Sequence, residues 1–275
     1  KYNSIDPKTV LRVIAEMPIT PAEAIIKVKN AYFPVQALTE RLQQLDTDPN
    51  AFSDVYVADL FLDKGVDVKY IPSNNTPIRE YPIKGNAEYG AIELYELPQK
   101  NSEGKVYDNR YIMGHDPVDN DQAESSSLSS TFVLDLFTDR IVAEYTGRHP
   151  FADENYEIVR LLCIFYNAKC MYESNKKGIF SYFSKMSSTH LLADTPEYLR
   201  DKQLIKYSSF GSNAKGVNAS APINNFANGL IRDWLMKPVP MTITEDNEEK
   251  TVMVPNLFTL RCRALIQELI AFSPE

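Results

Sequence analysis

Two periodicities alternate along the chain. From Ala37 to Leu45 the apolar positions Ala37, Leu38, Leu42 and Leu45 recur every three or four residues, which predicts a helix, and Thr47-Asp48-Pro49-Asn50 stops it. Upstream, Pro18 to Ala24 predicts a helix start, with Thr20 as N-cap, Pro21 at the first helical position and Glu23 at the third. Near residue 55 the pattern shortens. Val55–Leu62, Val66–Ile71 and Ala91–Leu97 are rich in Val, Ile and Tyr and are separated by Gly and Pro turns, as in the strands of a small antiparallel subdomain. The polar stretch Pro98 to Asn109 is the expected boundary, giving a leader of residues 1–109 and a second domain of residues 110–275.

Beyond the boundary, Tyr111–Asp116 is a short strand ending in a carboxylate. Thr131–Phe137 and Ile141–Tyr145 form a hairpin around Thr138-Asp139-Arg140. Asp153–Asn167 is helical, with Ile158, Leu161, Leu162, Phe165 and Tyr166 on one face, and Ala168–Glu173 is a further strand ending in a carboxylate. Strand, hairpin, helix and strand in that order predict a mixed α/β sheet in which the helix crosses over to a parallel strand. Helices are then expected from Thr195-Pro196-Glu197 to about Lys206, over Ile223–Leu235 and over Leu260–Phe272. Pro238–Pro255, with its Glu245-Asp246-Asn247-Glu248-Glu249 run, reads as a solvated loop.

Composition sharpens this picture in three respects. Hydrophobic residues make up 44% and charged residues 24%, which is globular rather than disordered, and no apolar run reaches the roughly 20 residues of a membrane span. The first residues lack the apolar segment of a signal peptide, and Cys163, Cys170 and Cys262 lack metal-ligand spacing, so reduced, buried thiols in a cytoplasmic protein are expected. The net charge of −8 is uneven: residues 157–215 hold nine Lys/Arg against five Asp/Glu, a balance of +4 inside an acidic chain. A local phosphate contact suits that distribution better than a wholly basic binding surface does.

Candidate chemistry begins with Asp116 and Glu173, because ligands of α/β sheets bind at the carboxyl ends of strands. If the two strands are parallel neighbours, both acids face one point, and a hard cation such as Mg²⁺ relieves their repulsion. The plainer alternative is that Asp116 caps a turn before Pro117 while Glu173 is a solvated strand end. Asp119, Asp121 and Glu124 follow in an acidic loop that either supplies a further metal ligand or is ordinary surface; EF-hand spacing and the central Gly are lacking. After Glu173, Asn175, Lys176 and Lys177 suit an approaching phosphate backbone, or else a solvated turn, with Lys202, Lys206 and Lys215 extending the basic stretch. His115 alternates to the opposite strand face from Asp116. Gly211 to Gly216 lacks P-loop order, and no serine or cysteine nucleophile motif occurs.

These segments, in order, resemble a known family. Glu16 to Ala24 with Tyr32-Phe33-Pro34 is similar to the segment that closes the ATPase part of tailed-phage large terminase subunits. Tyr111-Ile112-Met113-Gly114-His115-Asp116-Pro117 resembles their Y-x-x-G-x-D-P first nuclease strand. Thr131–Arg148 is similar to the hairpin that follows, and Tyr172 to Gly178 resembles their E-x-N-x-x-G motif. The resemblance runs along essentially the whole chain and is to the crAss-like-phage type. It implies an RNase H-like mixed sheet flanked by helices, preceded by a small helical and β-strand leader subdomain that closes an ATPase domain. It further implies an endonuclease that cuts concatemeric double-stranded DNA with two Mg²⁺ or Mn²⁺ ions. Asp116 and Glu173 are then catalytic metal ligands, with Asp119 and Asp121 as further candidates, and Asn175, Lys176, Lys177 and Lys215 contact DNA. The implied partners are the portal protein, the small terminase subunit and the ATPase domain of the same chain, at the procapsid in the host cytoplasm and with no membrane. The family's third acid is expected beyond Glu275, Asp233 being the next internal candidate, and without it the chain is expected to bind metal weakly and cut slowly or not at all. A non-catalytic docking module of the packaging motor and a RuvC-like resolvase are the alternatives.

Overall fold

The computed structural model describes residues 31–65, 67–83, 89–118, 127–205, 214–245 and 248–273. In chain order the elements discussed are α1 (Val35–Thr47), β1 (Tyr56–Asp63), β2 (Asp67–Pro72), β3 (Ile92–Leu94), β4 (Tyr111–Asp116), β5 (Ser129–Asp135), β6 (Arg140–Gly147), α2 (Ala152–Tyr166), β7 (Lys169–Tyr172), α3 (Gly178–Lys185), α4 (Tyr198–Asp201), α5 (Ala221–Met236), β8 (Pro238–Glu245), β9 (Glu248–Pro255) and α6 (Arg263–Ala271). The expected helix start at Thr20 and Pro21 lies outside the described residues. The chain divides into two compact units, one drawn from residues 1–51, 79–82 and 229–275 and the other from residues 52–78 and 83–228.

The larger unit is built on a seven-stranded sheet in the order β2-β1-β3-β6-β5-β4-β7. β4, β5 and β6 form an antiparallel meander, α2 follows, and β7 returns parallel to β4. Meander, helix and parallel fourth strand beside the first are the core of an RNase H-like fold. β1, β2 and β3 extend that same sheet, because the three residues of β3 pair with β6 on one side and β1 on the other.

Alternation dictates which face is covered. Tyr111, Met113 and His115 of β4 are buried while Ile112, Gly114 and Asp116 are exposed. On the buried face, Met113, Val133, Ala143, Tyr145, Cys170 and Tyr172 pack with Tyr156, Val159, Leu162, Cys163 and Tyr166 of α2 in one cluster. Each large side chain so buried contributes about 1.5–3 kcal/mol. Glu154 at the third position of α2 accepts a bond from the Phe151 N–H at 3.4 Å, and the helix ends on Asn167 in the left-handed conformation (φ 50°). Cys163, Cys170 and Cys262 are buried free thiols.

Two expected elements differ. Residues 238–255 are not a loop: β8 and β9 pair over eight positions, from Pro238 opposite Pro255 to Glu245 opposite Glu248. In the sequence the acidic run hid the alternation of Met241-Thr242-Ile243 against Val252-Met253-Val254. The helix expected from Thr195 is a single turn, α4, without a side-chain cap, and the Thr195 hydroxyl donates to the Gly216 carbonyl at 2.6 Å.

In the smaller unit α1 lies beside α6. The Arg41 Nε donates to the Leu260 carbonyl at 2.8 Å, and Arg263 reaches Asp46 at 2.7 Å. Burial lowers the Arg41 guanidinium from its ordinary value to about 10. Among the described residues no helix is long and apolar enough to cross a membrane.

Candidate active site

The parallel pairing of β4 with β7 sets Ile112 beside Lys169, Met113 beside Cys170, Gly114 beside Met171 and His115 beside Tyr172. One step further along both strands come Asp116 and Glu173. Paired residues share a face, so the two carboxylates project from the same side of the sheet on backbones about 5 Å apart. Across the other edge of β4, Asp116 pairs with Ser130, and Ser130 with Thr146 of β6. A polar row therefore crosses three strands, Thr146, Ser130 and Asp116, with Glu173 the first residue past the end of β7. The Ser130 and Thr146 hydroxyls lie 3.0 Å apart.

His115 points the other way, as alternation predicted. It is 6% exposed, with its Nδ1 at 2.8 Å from the Thr131 hydroxyl in the sheet core.

Glu173 is held from its outer flank. On the side away from β4, a strap running from Ala214 to Ala219 meets it: the Val217 N–H donates to the Tyr172 carbonyl at 2.9 Å, and the Ser174 N–H donates to the Val217 carbonyl at 2.9 Å. The strap turns at Gly216, whose φ of +72° suits glycine, and a Cβ there would stand 2.7 Å from the Tyr172 carbonyl oxygen. The side-chain amide of Asn175 donates to Glu173 Oε1 at 3.0 Å and to the Ala219 carbonyl at 3.3 Å. A carboxylate offers about four lone-pair positions, so this bond orients Glu173 while leaving it able to hold a cation.

The remaining predicted residues are placed variously. Lys176 is half-buried and Lys177 exposed, directly ahead of α3. Lys215 pairs with Asp194 at 2.6 Å, and that hydrogen bond holds the Asp194 carboxyl below its ordinary range. Lys202 stands over the Phe226 ring at 5.3 Å. Asp233 is exposed on α5 with Arg232 at 3.7 Å. Asp119, Asp121, Glu124 and Lys206 lie outside the described residues. The brace from Asn175 and the hydroxyls of Ser130 and Thr146 were not singled out from the sequence. A period-two count along β5, with Ser130, Phe132 and Leu134 on one face, would have found Ser130.

Two carboxylates on neighbouring positions of one face repel unless a cation or a shared proton lies between them. The donor set fits a hard divalent ion, which binds through one or two carboxylates together with substrate phosphate. Among the described residues no group of three or more His, Cys, Asp and Glu is arranged to hold a metal.

No family model matches the chain, and no curated protein matches it. Among solved structures, the large terminase nuclease from thermophilic phage G20c is similar over 70% of this chain and 94% of that one, at 14% identity and a TM-score of 0.31. The fold assignment rests on the strand order rather than on that superposition.

Proposed function

We propose that the chain is a metal-dependent endonuclease of the phage-terminase type, cutting concatemeric double-stranded DNA during genome packaging. The observation that supports this reading is the parallel pairing of β4 with β7 up to His115 and Tyr172 in an RNase H-like sheet, which makes Asp116 and Glu173 the next residue along each chain segment. The ordered motif resemblance between residues 16 and 178 supports it independently.

In this reading Asp116 and Glu173 hold Mg²⁺ or Mn²⁺. The bound ions supply Lewis-acid polarisation of the phosphodiester and, as a pair, stabilise charge on its attacking and leaving oxygens. Asn175 fixes one oxygen of the Glu173 carboxylate through its bond to Oε1, and the hydroxyls of Ser130 and Thr146, 3.0 Å apart, extend the polar surface beside Asp116. Lys176 and Lys177 attract the phosphate backbone. Contacts of that kind carry no base information, so cutting has little sequence preference. The partners are duplex DNA, the portal protein, the small terminase subunit and an ATPase domain of the same chain, meeting at the procapsid in the host cytoplasm.

Incubation with supercoiled plasmid and Mn²⁺ tests the proposal. With two acids placed together, the protein is expected to nick the plasmid slowly, and Asp116→Asn and Glu173→Gln to remove that nicking. Cutting by Asp116→Asn at the parent rate overturns it.

A further inference from the structure

Gly114 occupies the middle of β4, on the same face as Asp116, and nothing among the described residues calls for a glycine there. Its backbone is not in the left-handed region, and a Cβ built on it would meet no described atom within 4 Å. Glycine inside a strand weakens it relative to a residue with a side chain, and where no bulge or crowding explains it, close approach by a ligand or another backbone does.

The surroundings specify what approaches. Phe132 and Met171 flank Gly114 on the neighbouring strands, and Ile112 and Asp116 flank it along its own. Those four side chains stand off the sheet, so Gly114 is the floor of a notch with half-buried apolar walls at Phe132 and Met171. The notch lies about 7 Å along the strand from Asp116. Apolar walls suit the carbon face of a sugar better than a phosphate, while the adjoining acid row is where the phosphate and its cations belong.

We infer that this notch seats a deoxyribose of the DNA strand next to the phosphodiester held at Asp116 and Glu173, and that Gly114 is the residue that determines access to it. The inference rests on the nuclease reading and adds a subsite to it. A side chain at position 114 would fill the notch and lift the strand away from the acids without disturbing the sheet.

Gly114→Val tests this, measured beside the parent and Gly114→Ala by thermal melting, Mn²⁺ titration, fluorescence anisotropy of a labelled duplex, and plasmid cleavage. Gly114→Val is expected to melt at or above the parent temperature and bind Mn²⁺ within about twofold, while kcat/KM for cleavage falls about tenfold or more through KM. Duplex binding should weaken in parallel, with Gly114→Ala intermediate. Parent-like binding and cutting by Gly114→Val would overturn the notch and leave the nuclease reading intact. Unfolding or loss of Mn²⁺ binding in Gly114→Val would also overturn it, because the glycine would then be structural. A parent that binds duplex but never cuts fails the nuclease reading alone, and the notch is then decided by whether Gly114→Val binds duplex less well. A parent that binds no duplex overturns both.

Discussion

Asn175 reaches back two residues to bond the carboxylate of Glu173 at 3.0 Å, and the same amide group holds the Ala219 carbonyl at 3.3 Å. One side chain thus ties a proposed metal ligand to the strap beside it. Groups that orient a ligand typically contribute tenfold to a hundredfold in metal affinity or activity. Asn175→Ala is therefore expected to weaken Mn²⁺ binding about tenfold, read by calorimetry, with the melting temperature little changed. A role in phosphate contact alone would weaken DNA binding and leave the Mn²⁺ titration untouched.

Gly216 governs whether the strap can lie against β7 at all. A side chain there suffers a positive φ and meets both the carbonyl and the ring of Tyr172. Gly216→Ala should destabilise the larger unit by about 1–3 kcal/mol in urea unfolding, and should slow cleavage by loosening the backbone on the outer flank of Glu173.

The opposite end of the sheet carries a buried ion pair. Asp135, with a side chain only 1% exposed, accepts bonds from Arg110 at 3.0 and 2.7 Å and from the Phe137 N–H at 2.9 Å. The guanidinium lies over the rings of Tyr107, Tyr111 and Phe137. Removing it strands a buried carboxylate, so Arg110→Ala is expected to cost about 3 kcal/mol in chemical denaturation, whereas Arg110→Lys should recover part of that loss.

Stability should also fall on mild acidification. Burial holds the His149 imidazole below its ordinary value against the opposing pull of Glu154 and Asp59, with the rings of Tyr89 and Tyr145 beside it. The unfolded chain then takes up a proton near pH 6.5 that the folded protein refuses until lower pH. This contribution is full above about pH 6.5 and is lost as pH drops through the folded value. Urea midpoints at pH 7.5 and 5.5 should differ less in His149→Phe, which keeps the ring and removes the titration, than in the parent.

Much of this architecture was legible in particular residues. β4 spans Tyr111–Asp116, as expected from a short apolar run ending in a carboxylate, and α2 runs to Tyr166. The parallel direction of β7 follows from the helix crossing over before it, but its place beside β4 rather than beside another strand is set by the sheet order, which local pattern does not give. What the sequence concealed was long-range pairing. In the sequence the acidic run from Glu245 to Glu249 outweighed the alternation of β8 and β9, and the bond from the Thr195 hydroxyl to a carbonyl twenty-one residues away leaves no local trace. Asn175 and Lys215 read as DNA contacts because both are polar and lie within the basic stretch. The bond from Lys215 to Asp194 depends on how the strap folds back, which spacing along the chain does not encode, whereas Asn175 reaches Glu173 from only two residues away.

The most direct test is calorimetric titration of Mn²⁺ into the parent, Asp116→Asn, Glu173→Gln and the double variant. If both carboxylates grip the same ion, either single substitution removes most of the affinity and the second adds little, a non-additive cycle. Parent-like Mn²⁺ binding by the double variant would contradict the account at its root.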